Sequence, residues 1–218
     1  MKNYVLFAGL GISLALIASC KKDNPEPEVE DNNTPPETQS VKDYFPMTAG
    51  SYWVYQQTMY DTSGNVKPQT WKNDSVVVLN DTVIGSNTYH FVAEYNFVGQ
   101  ATPFFHYYRD SADCVTDDQG NIIFSVNPEL IYKDILTSDT VAYVNYSYNS
   151  SPTSVTVPLG TYSCVDFKGD MYRKMDNFSK AYPLHKYSYK NIGLVKKTAM
   201  YVGSLDQIHF DLKAYHIQ

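Results

Sequence analysis

Residues 44–218 are predicted to fold as an all-β domain with mainly antiparallel pairing: a single curved sheet, half-barrel or sandwich of about nine or ten strands, with at most one or two short helices. Three observations carry this. The chain holds 20 tyrosines and 10 phenylalanines, side chains that fit a pleated, half-buried surface better than a helix. From residue 44 onward, apolar residues recur with period two in short runs. Clusters of Gly, Asn, Asp, Ser and Pro separate the runs, as turn chemistry requires.

The N-terminal part has a different character. Lys2 precedes residues 4–17, an apolar run without a charge that ends near a cysteine followed by Lys21 and Lys22. A helix crossing about 30 Å of hydrocarbon needs roughly 20 apolar residues. This shorter run has the layout of an export signal over residues 1–19, removed from the mature chain. Ile17-Ala18-Ser19-Cys20 resembles the lipobox of bacterial lipoproteins, in which a branched residue and two small ones precede an acylated cysteine. The resemblance implies that Cys20 is the lipid-bearing first residue of the mature protein. Each acyl CH₂ in the bilayer contributes about 0.8 kcal/mol, and several chains together make attachment permanent.

Residues 20–43 read as the acylated cysteine and a disordered acidic tether. Residues 21–43 include four prolines, three basic and seven acidic side chains, so burial cannot offset the entropy of ordering them. As a coil the segment spans about 25–30 Å. Lys21, where an inner-membrane lipoprotein would carry aspartate, implies outer-membrane attachment. Lys22-Asp23 partly resembles a surface-export signal, with Asn24 where a second acid is usual, so the periplasmic face and the cell surface both remain open.

Within residues 44–218, length suits a single core. Tyr89, Phe91, Ala93, Tyr95 and Phe97 form one face of a strand, with His90, Val92, Glu94 and Asn96 on the other. Ile208, Phe210, Leu212 and Ala214 alternate with Gln207, His209, Asp211 and Lys213, and Tyr187 and Tyr189 alternate with Lys186, Ser188 and Lys190. Turns are expected at 63–65, 85–87, 117–121 and 149–152. Asn127-Pro128 is positioned to cap a short helix carrying Leu130, Ile131, Ile135 and Leu136. Residues 170–181 read either as a second helix, through Met171, Met175 and Phe178, or as a long loop.

The chemistry is expressed mainly in exclusions. Residues 44–218 contain 13 basic and 16 acidic side chains, which is not the basic patch that nucleic acid requires. No Gly-x-Ser-x-Gly or His-Glu-x-x-His motif is present in them, so no enzyme is expected, although a hydrolase assembled in space stays an alternative. His90, His106, His185, His209 and His216 are scattered and read as hydrogen-bonded or solvated side chains, not as metal ligands. Residues 117–121 lack the glutamate and spacing of a calcium loop. No cofactor or metal is expected. Cys114 and Cys164 form a candidate disulfide, with two buried free thiols as the alternative.

Tyr44-Phe45-Pro46-Met47 with Gly50-Ser51-Tyr52-Trp53-Val54-Tyr55 resembles the opening of uncharacterised lipoproteins of the Bacteroidota. Val157-Pro158-Leu159-Gly160-Thr161-Tyr162 and Asn191-Ile192-Gly193-Leu194-Val195-Lys196 are similar to two later landmarks of that family. The resemblance implies a curved or half-barrel sheet reminiscent of envelope lipoprotein carriers, and brings no catalytic residue. Trp53, Tyr55, Tyr107, Tyr146 and Tyr148 are the candidates for a ligand-facing aromatic surface, drawn from a group that includes Trp71, Tyr108 and Tyr143. The expected function is binding of a small apolar ligand, a glycan or an envelope protein by a domain tethered to the membrane through its lipid. Such a site is an apolar cleft of a few hundred Å³ with few convergent charges. The alternatives are an accessory subunit of a surface assembly and the hydrolase.

Overall fold

In a computed structural model the described residues are 39–68, 73–96, 102–136 and 141–218. The export signal, Cys20, the tether up to residue 38, and Trp71 lie outside them. The chain runs through a short helix α1 (Val41–Tyr44), then β1 (Tyr52–Tyr60), β2 (Val66–Lys67), β3 (Asn73–Ile84), β4 (Asn87–Asn96), β5 (Phe104–Ser111), β6 (Cys114–Asp117) and β7 (Ile122–Ser125). It continues with β8 (Ile131–Leu136), β9 (Ala142–Val157), β10 (Gly160–Arg173), a 3₁₀ turn (Lys174–Asp176), β11 (Tyr182–Leu184), β12 (Lys186–Tyr189), β13 (Gly193–Met200) and β14 (Gln207–His216).

All described strands belong to one antiparallel sheet of 14, ordered β7-β6-β5-β4-β3-β1-β14-β13-β12-β10-β9-β8, with β2 beside β1 and β11 beside β10. The strand count exceeds the expected nine or ten because β2, β6, β7 and β11 are only two to four residues long. Alternation over so few residues carries little signal. The sheet is not a sandwich. It curls into a nearly closed, barrel-like form, bringing its β7 end over the distant strands: the rings of Phe124 and Phe167 lie 5.7 Å apart edge to face, and Lys186 of β12 donates to the carbonyl of Ile123 at 2.8 Å.

Residues 131–136 are not helical. They form edge strand β8 with alternating burial, Ile131 and Ile135 pointing to solvent and Tyr132, Asp134 and Leu136 half-buried. β-Branched isoleucines favour the strand, and pairing with β9 supplies ladder hydrogen bonds along the whole of Ile131–Leu136. Residues 149–152 are not a turn either. β9 runs through them, and its register with β10 shifts between Cys164 and Asp166. Pro152, which has no N–H to give a ladder, falls in this irregularity, as proline in strands commonly does. Of 170–181, the first four residues finish β10 and the next three make the 3₁₀ turn.

Two buried clusters result. One joins Val115, Phe124, Val144, Tyr146, Phe167 and Met171; the other joins Trp53, Tyr55, Val78, Val92, Phe210 and Leu212. The long β9–β10 hairpin contributes to both. A fully buried Phe such as Phe124 or Phe167 contributes roughly 1.5–3 kcal/mol. Tyr146 lies directly opposite Gly169, where an added Cβ would come within 2.7 Å of the tyrosine ring; glycine there lets the ring lie on the backbone and stack on Phe167 at 5.0 Å.

The folded unit begins ahead of residue 44, where sequence composition placed the end of the tether. Val41 is buried in the first cluster, Ser40 caps α1 through Lys42, and Tyr148 bonds Gln39. Asp43 accepts from the backbone N–H of Asn191 at 2.6 Å through its carbonyl, and Lys42 pairs with Asp110 of β5 at 3.3 Å. The segment is thereby fixed to both β5 and the β12–β13 turn.

Candidate functional site

A cavity of about 270 Å³ opens on the inner side of the curled sheet. Phe45, Pro46 and Met47, just after α1, form one wall, and Phe45 packs on Tyr108 and Phe124 with ring centroids 6.2 and 5.9 Å away. Trp53 and Tyr55 of β1, Val76 and Val78 of β3, and Val92 of β4 form the opposite side. Trp53 donates its indole N–H to the Ile192 carbonyl at 2.7 Å, and Tyr55 donates its hydroxyl to the Leu194 carbonyl at 2.9 Å. Both reach past β14 to the start of β13.

Gly193 stands at that meeting point with φ +92°, and a Cβ there would lie 3.0 Å from Pro46 Cδ. A left-handed backbone and a proline against the chain together demand glycine. The Phe-Pro, Trp-x-Tyr and Gly-Leu pieces, far apart in sequence, are thus one physical unit around the cavity.

Five ionisable side chains sit in or beside this apolar space. Lys186, Lys197, Phe210 and Gln57 are successive partners across β12, β13, β14 and β1, a cross-strand row on one face. Lys197 bonds Glu94 at 3.2 Å and lies over the Phe210 ring at 4.5 Å. His106 approaches the other oxygen of Glu94 at 3.3 Å. Lys186 lies over the rings of Tyr146 and Phe167 at 4.5 and 5.5 Å. Asp74, fully buried, is the diagonal neighbour of Glu94 on β3.

The electrostatics follow from these positions. Lys197 beside it holds the Glu94 carboxyl well below the usual carboxylate range. Burial, then the Glu94 charge, pushes Asp74 up to about 7. Two adjacent buried carboxyls cannot both ionise cheaply, so the proton resides on Asp74. Burial and the like charge of Lys197 push Lys186 down to about 8. Tyr55 and Tyr108 are raised, by burial first and Glu94 second, and remain neutral donors.

Of the aromatic candidates, Trp53 and Tyr55 line the cavity. Tyr107 does not: it stacks on Phe91 at 5.1 Å, on the side of β5 opposite His106 and Tyr108. Tyr146 and Tyr148 are buried in the first cluster and do not line the cavity. Cys114 and Cys164 are free thiols. They stand on strands that are not neighbours, Cys114 donating to Ser125 Oγ at 3.3 Å, and burial pushes the Cys164 thiol up to about 12. His90 and His185 pair with Asp81 and Asp166, at 2.8 and 2.7 Å. Among the described residues no group of three His, Cys, Asp or Glu side chains is placed to hold a metal. Asp117 accepts from the backbone of Gln119 and Asn121, which makes its loop a hairpin turn.

No protein-family model matches the chain. No curated protein matches it either. Two crystal structures share part of its shape. One is a protein of Bacteroides fragilis NCTC 9343 described as exported and as having a YmcC-like fold, 11% identical, with a TM-score of 0.46, covering 80% of this chain and 99% of that one. The other is a protein of Parabacteroides distasonis ATCC 8503 described as a lipoprotein, 16% identical, with a TM-score of 0.44, covering 79% of this chain and 97% of that one. Likeness at this level assigns neither family nor activity.

The residues that the sequence did not single out are the charged ones. Glu94, His106, Lys186 and Lys197 occupy positions that an alternating pattern assigns to water. In β4 the cavity receives Val92 and Glu94, while Phe91 stacks outside on Phe105 at 5.1 Å.

Proposed function

We infer that the domain is a non-enzymatic binding module of an exported lipoprotein, held at the outer membrane through acylated Cys20, and that it takes a small apolar ligand into the cavity beneath Phe45 and Trp53. The observation that carries this reading is the cavity itself, about 270 Å³ and walled mainly by aromatic and aliphatic side chains. An engineered apolar cavity of about 150 Å³ holds a benzene molecule, so this one accommodates about ten non-hydrogen atoms. The lining contains no serine, threonine or cysteine, the nucleophiles of a triad-type hydrolase, and burial raises the hydroxyls of its Tyr55 and Tyr108.

Native mass spectrometry of the full chain purified from its own envelope tests the reading. The expected spectrum contains a species heavier than the denatured protein by one small molecule. A spectrum in which native and denatured masses agree would count against it.

A further inference from the structure

Among the described residues, one of the two lysines at the cavity has no carboxylate in contact. Lys197 has Glu94 as its counter-ion at 3.2 Å, yet Lys186, directly opposite Lys197 in the register, forms no ion pair with a carboxylate among the described residues. An ammonium carries three donors. Lys186 uses one on the carbonyl of Ile123, and two aromatic faces cover part of the remainder. Asp134 is the carboxylate whose charge reaches Lys186, from beyond ion-pair distance, and a cation taken out of water without a contacting counter-charge is unfavourable unless something restores it. Burial pushes the Lys186 ammonium down to about 8, so it still holds its proton at neutral pH while favouring an added negative charge.

We propose, resting on the binding reading above, that the ligand is a small amphiphile with a single carboxylate, its head at Lys186 and its apolar body against Phe45, Val78 and Val92. The charge count supports one negative charge. Glu94 already neutralises Lys197, Asp74 keeps its proton below about pH 7, Asp134 acts on Lys186 only from beyond ion-pair distance, and a second anionic group would face the Glu94 carboxylate. The volume supports a body of about seven carbons, given roughly ten non-hydrogen atoms in all, three of them in the carboxylate. A neutral ligand of the same size would fill the cavity and leave Lys186 unpaired. A cationic one would meet both lysines.

Three probes with one apolar body separate these cases: 3-phenylpropionate, 3-phenylpropan-1-ol and 3-phenylpropylamine. Each is titrated calorimetrically into the full chain in nanodiscs, with empty nanodiscs subtracted. The carboxylate is expected to bind at least tenfold more tightly than the alcohol, and the amine most weakly. Lys186→Met should remove that tenfold preference by weakening the carboxylate far more than the alcohol, and Lys186→Arg should restore it. Equal binding of carboxylate and alcohol, or a preference that survives Lys186→Met, would overturn the head-group assignment and leave the cavity reading standing. Failure of all three probes to bind would overturn the cavity reading with it.

Discussion

Glu94→Gln is expected to destabilise the domain by about 2 kcal/mol, below the range for breaking a fully buried ion pair by removing one partner, because both side chains are a quarter exposed. The substitution leaves Lys197 in an apolar cavity with its counter-ion gone and takes the carboxylate from His106. Asp74 offsets part of the loss, because without the Glu94 charge its carboxyl ionises at lower pH and faces Lys197. Urea unfolding at pH 7 checks the magnitude. A change below about 0.5 kcal/mol would mean that the Lys197–Glu94 pair behaves as an exposed one.

Asp74→Asn is expected to act in the opposite direction, with an effect that grows from about pH 4 and is complete by about pH 7. Because its folded-state value is raised from 3.8 to about 7, the folded protein holds a proton that the unfolded chain releases above about pH 4. Stability therefore falls as pH rises from about 4 to about 7, and the loss is complete above 7. Glu94 contributes the opposite limb: its lowered value adds stability that is present above about 4.5 and is lost as pH falls further. Asparagine keeps the neutral shape and has no charge to form. At pH 8 the variant should be more stable than wild type by about 2 kcal/mol, after discounting for partial solvent screening of the pair; at pH 4 the two should coincide. In a Glu94→Gln background the sign should reverse, since Asp74 is then the remaining counter-ion of Lys197. Thermal unfolding of the four proteins across pH 4–8 measures this coupling.

The parts of the fold that were legible in the sequence are those where one face of a strand is packed and the other is wet. In β14, Phe210 and Leu212 are buried as their alternation requires, and the turns at 63–65, 85–87 and 117–121 close hairpins. Legibility ends where the inside of the sheet is a cavity and not a core. A strand lining a partly polar cavity has no wet inner face for the pattern to mark, so Glu94 and Lys186 resemble surface residues although they line the cavity.

The Asn149-Ser150-Ser151-Pro152 signal was turn chemistry serving a break in strand register, and Asn127-Pro128 preceded an edge strand instead of a helix. Val41 is a single apolar residue in an acidic stretch, too little to show that the folded unit had begun. The family-like pieces were visible one by one, but their reason was not. Pro46, Trp53 and Gly193 meet in space around a backbone conformation that only glycine adopts without strain.

The central claim is that the space beneath Phe45 and Trp53 is a binding site. Val92→Trp, which extends a side chain into that space without changing any charged group, tests it most directly when the neutral probe 3-phenylpropan-1-ol is titrated into wild type and variant. Wild type is expected to bind the alcohol, and the variant, still folded with an unchanged unfolding transition, to bind it at least tenfold more weakly. A folded variant that binds the alcohol as wild type does, or a wild type that does not bind it at all, would contradict the account.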